Sequence, residues 1–370
     1  MKGENILKNI YLDWAATSPI CPVAKQAILE HIDDFGNPSS SYELGVKSRI
    51  IIEDARAKIA KCINAEPNEI YFTSGGSESD TWALNGRTSL ISSIEHSAIK
   101  SQFRFKVNND GIADIEDTKK YINTLIKKYG ISIVSCMMVN NEIGTIQPIK
   151  ELTEMAHENN LLFFTDAVQA MGHVPIDVKD LNVDMLSASG HKFGAPKGIG
   201  FLYIKNGTEI HNLIKGGKQE SGLRPSTENI LGITSMAAAL EDSVFNMEER
   251  NEHIKKLRDK MLDKLLSIDG VYLNGSLEQR IVSNINICID GVRGSTLVAM
   301  CDLNGICISA GSACHEGESK PSHVLTVIGL FKEDALNSVR ITIGYQNTEE
   351  EIDEAINIIT YLIKRIREEQ

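Results

Sequence analysis

At 370 residues the chain exceeds what one hydrophobic core ordinarily holds, so two domains are expected. Its 42% hydrophobic and 24% charged content is that of a globular protein, and a net charge of -12 excludes nucleic acid as a main partner, because phosphate binding needs a basic footprint. No apolar run approaches the ~20 residues of a membrane span. The N-terminal MKGENILKNIYLDW lacks the apolar core of a signal peptide, and seven scattered cysteines suit a reducing compartment, so a cytoplasmic location is expected.

In chain order, IYLDWAATSP (10–19) predicts a short strand ending in a turn. Val23–Asp34 and Val46–Cys62 carry apolar residues at helical spacing, with the polar loop FGNPSSS between them. Ile70–Thr73 predicts a strand, followed by Ser74-Gly75-Gly76-Ser77 and a helix from about Ser77 to Gly86. Strand, glycine turn and helix place free N–H groups at an anion, although a plain N-cap on Ser74 or Ser77 fits equally well. The stretch matches neither a Walker loop nor a Rossmann fingerprint. Leu90–Ser93 predicts a strand ending at Glu95-His96, and Thr118–Tyr129 a helix. Ile131–Val139 reads as a strand buried on both faces that ends in Asn140-Asn141-Glu142. A helix over Pro148–Asn160 leads to a strand at Leu161–Thr165, which ends at Asp166 with Gln169 three residues on.

The strand at Asp184–Ser189 runs into SGHKFGAPKGIG, a tight loop presenting Ser189, His191 and Lys192 before the strand Phe201–Ile204. A partly buried lysine there is a candidate Schiff-base nucleophile; the plain alternative is a surface lysine in a turn. Gly216–Asn229 predicts a long polar loop and Leu231 to about Ile268 one long helical stretch. Strands at Ile281–Ile289 and Val339–Ile343 flank a helix at Ser295–Asn304, and Thr348-Glu-Glu-Glu is a capping box opening a final amphipathic helix. Cys288, Cys301 and Cys307 lie on apolar patterns and read as buried thiols; Cys314, in a glycine-bearing loop over about 309–321, is the cysteine placed to react. A metal site of Cys301, Cys307, Cys314 and His315 fits no common spacing, and no metal is expected.

Alternating strands and helices from about 70 to 205 define an α/β unit with a mostly parallel sheet, and the interleaved C-terminal elements a smaller α+β unit. The division is expected at 13–252 for the large domain, with 1–12 and 253–370 in the small one, which carries the cysteine loop. The polar signals all follow the C-terminal ends of strands, where ligands of open α/β sheets bind. A nucleophilic lysine, an anion cup, an acid at a strand end, a histidine and an amide pair together answer the needs of pyridoxal phosphate.

The motifs FGNPSS, FTSGGSES, EH, VNNEIG, DAVQ, SGHKFGAPKGIG and SAGSAC, in this order, resemble those of cysteine desulfurases of the class V aminotransferase family, fold type I. The length of the cysteine loop resembles the NifS/IscS-like group. The resemblance implies Lys192, Cys314 and His96 as catalytic groups. It implies Asp166 on the pyridine nitrogen, Gln169 and Asn141 on the ring oxygen, and Gly76, Ser77, Ser189 and His191 on the phosphate. Thr227 would reach the phosphate of a neighbouring subunit in a homodimer. Arg340 and Asn141 would face the substrate, L-cysteine, which would become alanine while Cys314 takes the sulfur as a persulfide. The acceptor in this family is an iron–sulfur scaffold or a tRNA-thiolation protein. Other pyridoxal phosphate enzymes of the fold (selenocysteine lyase, C–S lyase, aminotransferase) and a non-catalytic scaffold are the alternatives. Departures from the usual family pattern fall at Trp14, Ser221, Ser226, His315 and Tyr345, where Asn, Arg, Gly, Thr and Arg are common.

Overall fold

The computed structural model describes residues 9–310 and 320–369. Among the described residues the strands are β1 (Ile10–Tyr11), β2 (Ile70–Thr73), β3 (Ser89–Ser92), β4 (Phe103–Phe105), β5 (Ile133–Ser135), β6 (Leu162–Asp166), β7 (Met185–Ser189), β8 (Gly200–Ile204), β9 (Val271–Leu273), β10 (Asn284–Ile289), β11 (Ile306–Cys307), β12 (Ser309–Ala310) and β13 (Ser338–Thr342). The main sheet has the order β2-β8-β7-β6-β5-β3-β4. From β7 to β4 all pairs are parallel, whereas β8 runs antiparallel to both neighbours. This is the expected mostly parallel sheet. Strands β3, β5, β7 and β8 are buried along their whole length, which explains their unbroken apolar or small-residue character.

The sheet sits in a large apolar core that also takes in the helices Pro22–His31, Glu43–Cys62 and Ile230–Phe245. A second core surrounds the antiparallel sheet β12-β13-β10-β9, which the helices Met247–Leu266 and Glu349–Glu368 cover. Ile10 and Leu12 belong to this second core, so the chain enters there before crossing to the large sheet. The capping box is in place: the Glu351 N–H donates to Thr348 Oγ1 (3.2 Å) and the Thr348 N–H to Glu351 Oε2 (3.3 Å). No helix among the described residues is long and apolar enough to cross a membrane.

Three expectations are corrected. The helical stretch from Leu231 breaks at Asn246, which lies at φ -97°, ψ 10° and turns its amide back onto Asp242. Only Ile133–Ser135 of the long apolar run is laddered; the next residues keep single bonds to β6 (Cys136 N–H to Phe164 O, 3.2 Å; Met138 N–H to Asp166 O, 2.8 Å) before turning away. Cys307 is half-buried on the short strand β11, while Cys288 and Cys301 are buried as expected. The cysteine loop begins inside a sheet, because Ser309 and Ala310 pair with β13. Cys314 and His315 lie outside the described residues.

Candidate active site

The site forms where β6 and β7 end and the chain turns. Gly75, at φ 152°, opens the helix Gly76–Ala83 without any side-chain cap, so neither Ser74 nor Ser77 caps it. A Cβ on Gly76 would stand 2.8 Å from Val168 Cγ2, and one on Gly200 would stand 2.7 Å from Gly75 Cα. Only glycine allows the helix start, the Asp166 turn and β8 to close up around Ser189. The Gly75–Ser77 turn and Ser189 are therefore neighbours at a helix N-terminus, a place where free N–H groups favour an anion.

Asp166, at the end of β6, is buried and accepts one bond, from the Val168 N–H (2.8 Å). Burial pushes its carboxyl up, opposed by that N–H and by the charges of His96 and Lys192. His96 is exposed, and its Nδ1 takes the Ala98 N–H at 3.2 Å. Lys192 closes the turn after β7, and its Nζ donates to the carbonyls of Ala15 (2.6 Å) and Ala16 (3.0 Å). Burial, and then the charge of Arg340, lower its amine to about 8, against the pull of Asp166 and Asp13. The surface-lysine alternative does not describe this residue.

Around it, Gln169 Nε2 donates to Ala15 O at 2.9 Å, and His191 Nδ1 meets Thr17 Oγ1 at 3.1 Å. Burial, with help from Lys192 and Lys197, lowers His191 to about 4 and leaves it neutral. Arg340 on β13 donates Nη2 to Asp13 Oδ1 (2.6 Å) and Nη1 to Asn141 O (2.9 Å), while its buried Nε has no partner among the described residues. Asn141 stands in a turn held by its neighbour Asn140, whose Oδ1 accepts the N–H groups of Glu142 and Ile143. Lys192, Asp166, His96, Gln169, Arg340 and Asn141 are thus linked by direct bonds, shared partners or mutual charge.

Thr227 stands apart. It is exposed beside Ser226, across a surface cavity of about 200 Å³ from Ser74. A larger polar cleft, about 420 Å³, lies between Arg49, Arg56 and Ser221 and does not include Lys192.

Sequence reasoning missed the loop Asp13–Ser18. It reads as a strand end, yet its carbonyls and side chains hold Lys192, Gln169, His191 and Arg340. It also missed three buried acids. Asp80 accepts from Ser187 Oγ (2.6 Å) and is pushed up by burial and by Asp166. Glu95 takes Ser92 Oγ and the Met137 N–H and is pushed up to about 8 by burial. Glu142 takes Ser322 Oγ and is pushed up to about 7, again by burial. An acid next to an apolar run (Ile94-Glu95, Glu142-Ile143) was the available signal.

The fold is that of the fold type I transferases, and the aminotransferase class-V profile matches residues 10–355; the chain belongs to that family. Within it, the chain is 44% identical to the cysteine desulfurase IscS of Clostridium botulinum, over 98% of this chain and 96% of that protein. It is 41% identical to IscS of Methanosarcina thermophila, over 99% of this chain and 95% of that one. A solved NifS-like protein superposes with a TM-score of 0.88 at 32% identity, covering 96% of this chain and all (100%) of that one. The structure of SspA in complex with cysteine superposes with a TM-score of 0.77 at 30% identity, covering 91% of this chain and 99% of that one.

Proposed function

We propose that the chain is a cysteine desulfurase that uses pyridoxal phosphate to convert L-cysteine to L-alanine and keeps the sulfur as a persulfide on Cys314. The observation that carries this is the lysine whose amine is lowered to about 8 while linked by charge to a buried acid, beside an uncapped helix start. The relatives named cysteine desulfurase, matched over nearly their whole length, support the same reading.

The residues fit the cofactor. The glycines let the backbone of the Gly75–Ser77 turn, β8 and the Asp166 turn close up beside Ser189, and Asp166 is a buried acid near the charges of Lys192 and His96. Gly76, Ser77, Ser189 and His191 would hold the phosphate, Asp166 the pyridine nitrogen, and Gln169 and Asn141 the ring oxygen. Bound there, pyridoxal phosphate supplies an electron sink that acidifies the α-carbon of an amino acid. Lys192 would hold the cofactor's aldehyde and would pass protons at Nζ, with His96 as its acid–base partner. Arg340, with an unused Nε, receives the substrate carboxylate as a fork. The Cys314 thiolate attacks the substrate sulfur: an S–S bond forms, the Cβ–S bond breaks, and Cβ takes a proton to give alanine.

We also propose the two-domain division at 13–252 against 1–12 with 253–370, which the two separate apolar cores support. A homodimer with Thr227 serving the partner's phosphate fits the exposure of that residue. A cytoplasmic location and an iron–sulfur scaffold or tRNA-thiolation protein as acceptor complete the reading. The test incubates the protein with pyridoxal phosphate, L-cysteine and a reductant, and quantifies alanine and sulfide for wild type and Cys314→Ala. Equal yields, both lost in the variant, are expected. Pyruvate in place of alanine, or full activity in the variant, moves the assignment to another lyase of the fold.

A further inference from the structure

Trp14 and Tyr345, two of the departures from the family pattern, are in contact. Their ring centroids lie 5.6 Å apart, tilted by 56°. The Trp14 ring packs against Gly344, where any Cβ would collide with it. Its Nε1 donates to Tyr11 O at 3.2 Å, and the guanidinium of Arg250 lies 4.1 Å over the Tyr345 ring. Arg250 is itself neutralised by Asp242 (2.6 Å). The indole is therefore held by its own segment, through Tyr11, and by Gly344 and Tyr345, with Arg250 stacked on the Tyr345 ring.

That stack forms one wall of a small space of about 50 Å³, partly open to solvent, whose lining also includes His173, Phe193 and Lys192. The residues that follow Trp14 are Ala15 and Ala16, whose carbonyls receive the Lys192 amine. Ala15 is fixed in turn by its N–H bond to Thr342 Oγ1 (2.9 Å). We propose that Trp14 is a positioning residue for Lys192: braced by Tyr345 and Gly344, it covers one side of the space behind the lysine, limiting water there, and fixes the two carbonyls that hold its amine.

The neighbouring groups agree. His173, on the same space, is lowered to about 4 by burial alone, and its buried Nδ1 has no partner among the described residues. The charged or titratable groups facing Lys192 are Arg340 from β13, Asp166 from β6, Asp13 from the N-terminal loop and His191 from its own turn, with His173 and the paired Arg250 behind it. Removing the indole admits water and changes none of these groups. The proposal rests on Lys192 being the imine-forming lysine.

The experiment reads the amine itself. The full-length chain, freed of cofactor, is pulse-labelled with trace acetic anhydride from neutral to alkaline pH, and Lys192 acetylation is quantified by mass spectrometry. In Trp14→Ala the midpoint is expected to rise by about one unit, a roughly tenfold smaller free-amine fraction at neutral pH, because the ammonium is better solvated. Trp14→Phe restores the wild-type profile, and Tyr345→Leu, which removes only the brace, shifts it in the same direction by less. A Trp14→Ala protein that melts earlier yet titrates Lys192 as wild type does overturns the proposal. If Trp14→Ala does not fold, Tyr345→Leu decides between the same two outcomes. Loss of the desulfurase reading would show in the alanine and sulfide yields and leaves this titration interpretable.

Discussion

Two buried arginines show how differently this molecule treats charge. Arg56 is fully answered: Nη1 and Nη2 each reach a different oxygen of Glu220 at 2.8 Å, and Nη1 also donates to Ile70 O. Glu220 in turn accepts the Phe72 N–H at 2.9 Å, so the pair pins the 216–229 loop to β2. Arg340 is answered only in part, by one oxygen of Asp13 and one carbonyl, with Nε left over. Lys192 likewise has two neutral carbonyls and, among the described residues, no carboxylate within ion-pair reach. A closed ion pair holds a loop in place; an open one is a site waiting for an anion.

Breaking the closed pair carries the largest expected effect. Glu220→Ala leaves a buried guanidinium unpaired, and we expect a loss of about 3–5 kcal/mol in denaturant unfolding. An unchanged midpoint would show that the pair is not what holds the loop.

Opening the other arginine further is expected to act on binding instead. Arg340→Lys keeps the charge that lowers Lys192 but loses the fork, so KM for cysteine should rise roughly tenfold with kcat changed far less. A kcat loss at constant KM would take Arg340 away from the carboxylate.

The buried acids give a pH signature of a third size. Glu95, raised to about 8, and Glu142, raised to about 7, bind protons in the fold that they release when unfolded. Their contribution to stability is therefore complete below the ordinary glutamate pKa and is lost as pH rises through neutrality to their folded values. Each contributes a slope of at most about 1.4 kcal/mol per pH unit in that window. Glu95→Gln should flatten the profile there; an unaltered slope would show that Glu95 is ionised in the folded protein.

The smallest effect belongs to the loop that the closed pair anchors. Ser226 sits at φ 126°, a strained conformation for any residue with a Cβ. Ser226→Gly should stabilise the protein by about 1 kcal/mol in thermal melting. A neutral or destabilising result would mean that the serine side chain has a partner worth more than the strain.

Much of this protein was legible in the sequence because its signals are local. The ends of β2, β6 and β7, the glycine turn before Ser77, the capping box at Thr348 and the placement of Asp166 and Lys192 after strands all follow from periodicity and turn chemistry within a few residues. What failed has two causes, one local and one distant. Leu231–Ile268 keeps a helical rhythm through Asn246, so periodicity alone could not show the break made by a side chain turning back on Asp242. The loop Asp13–Ser18 has no internal signature, since its role lies in carbonyls offered to residues about 150 or more positions away. The sequence by itself determined which residues have the chemistry. The tertiary structure alone decided which of them are dry, because desolvation depends on what packs around a group. Burial, not residue type, lowers Lys192 to about 8, keeps His191 neutral and makes Trp14 part of the lysine's surroundings.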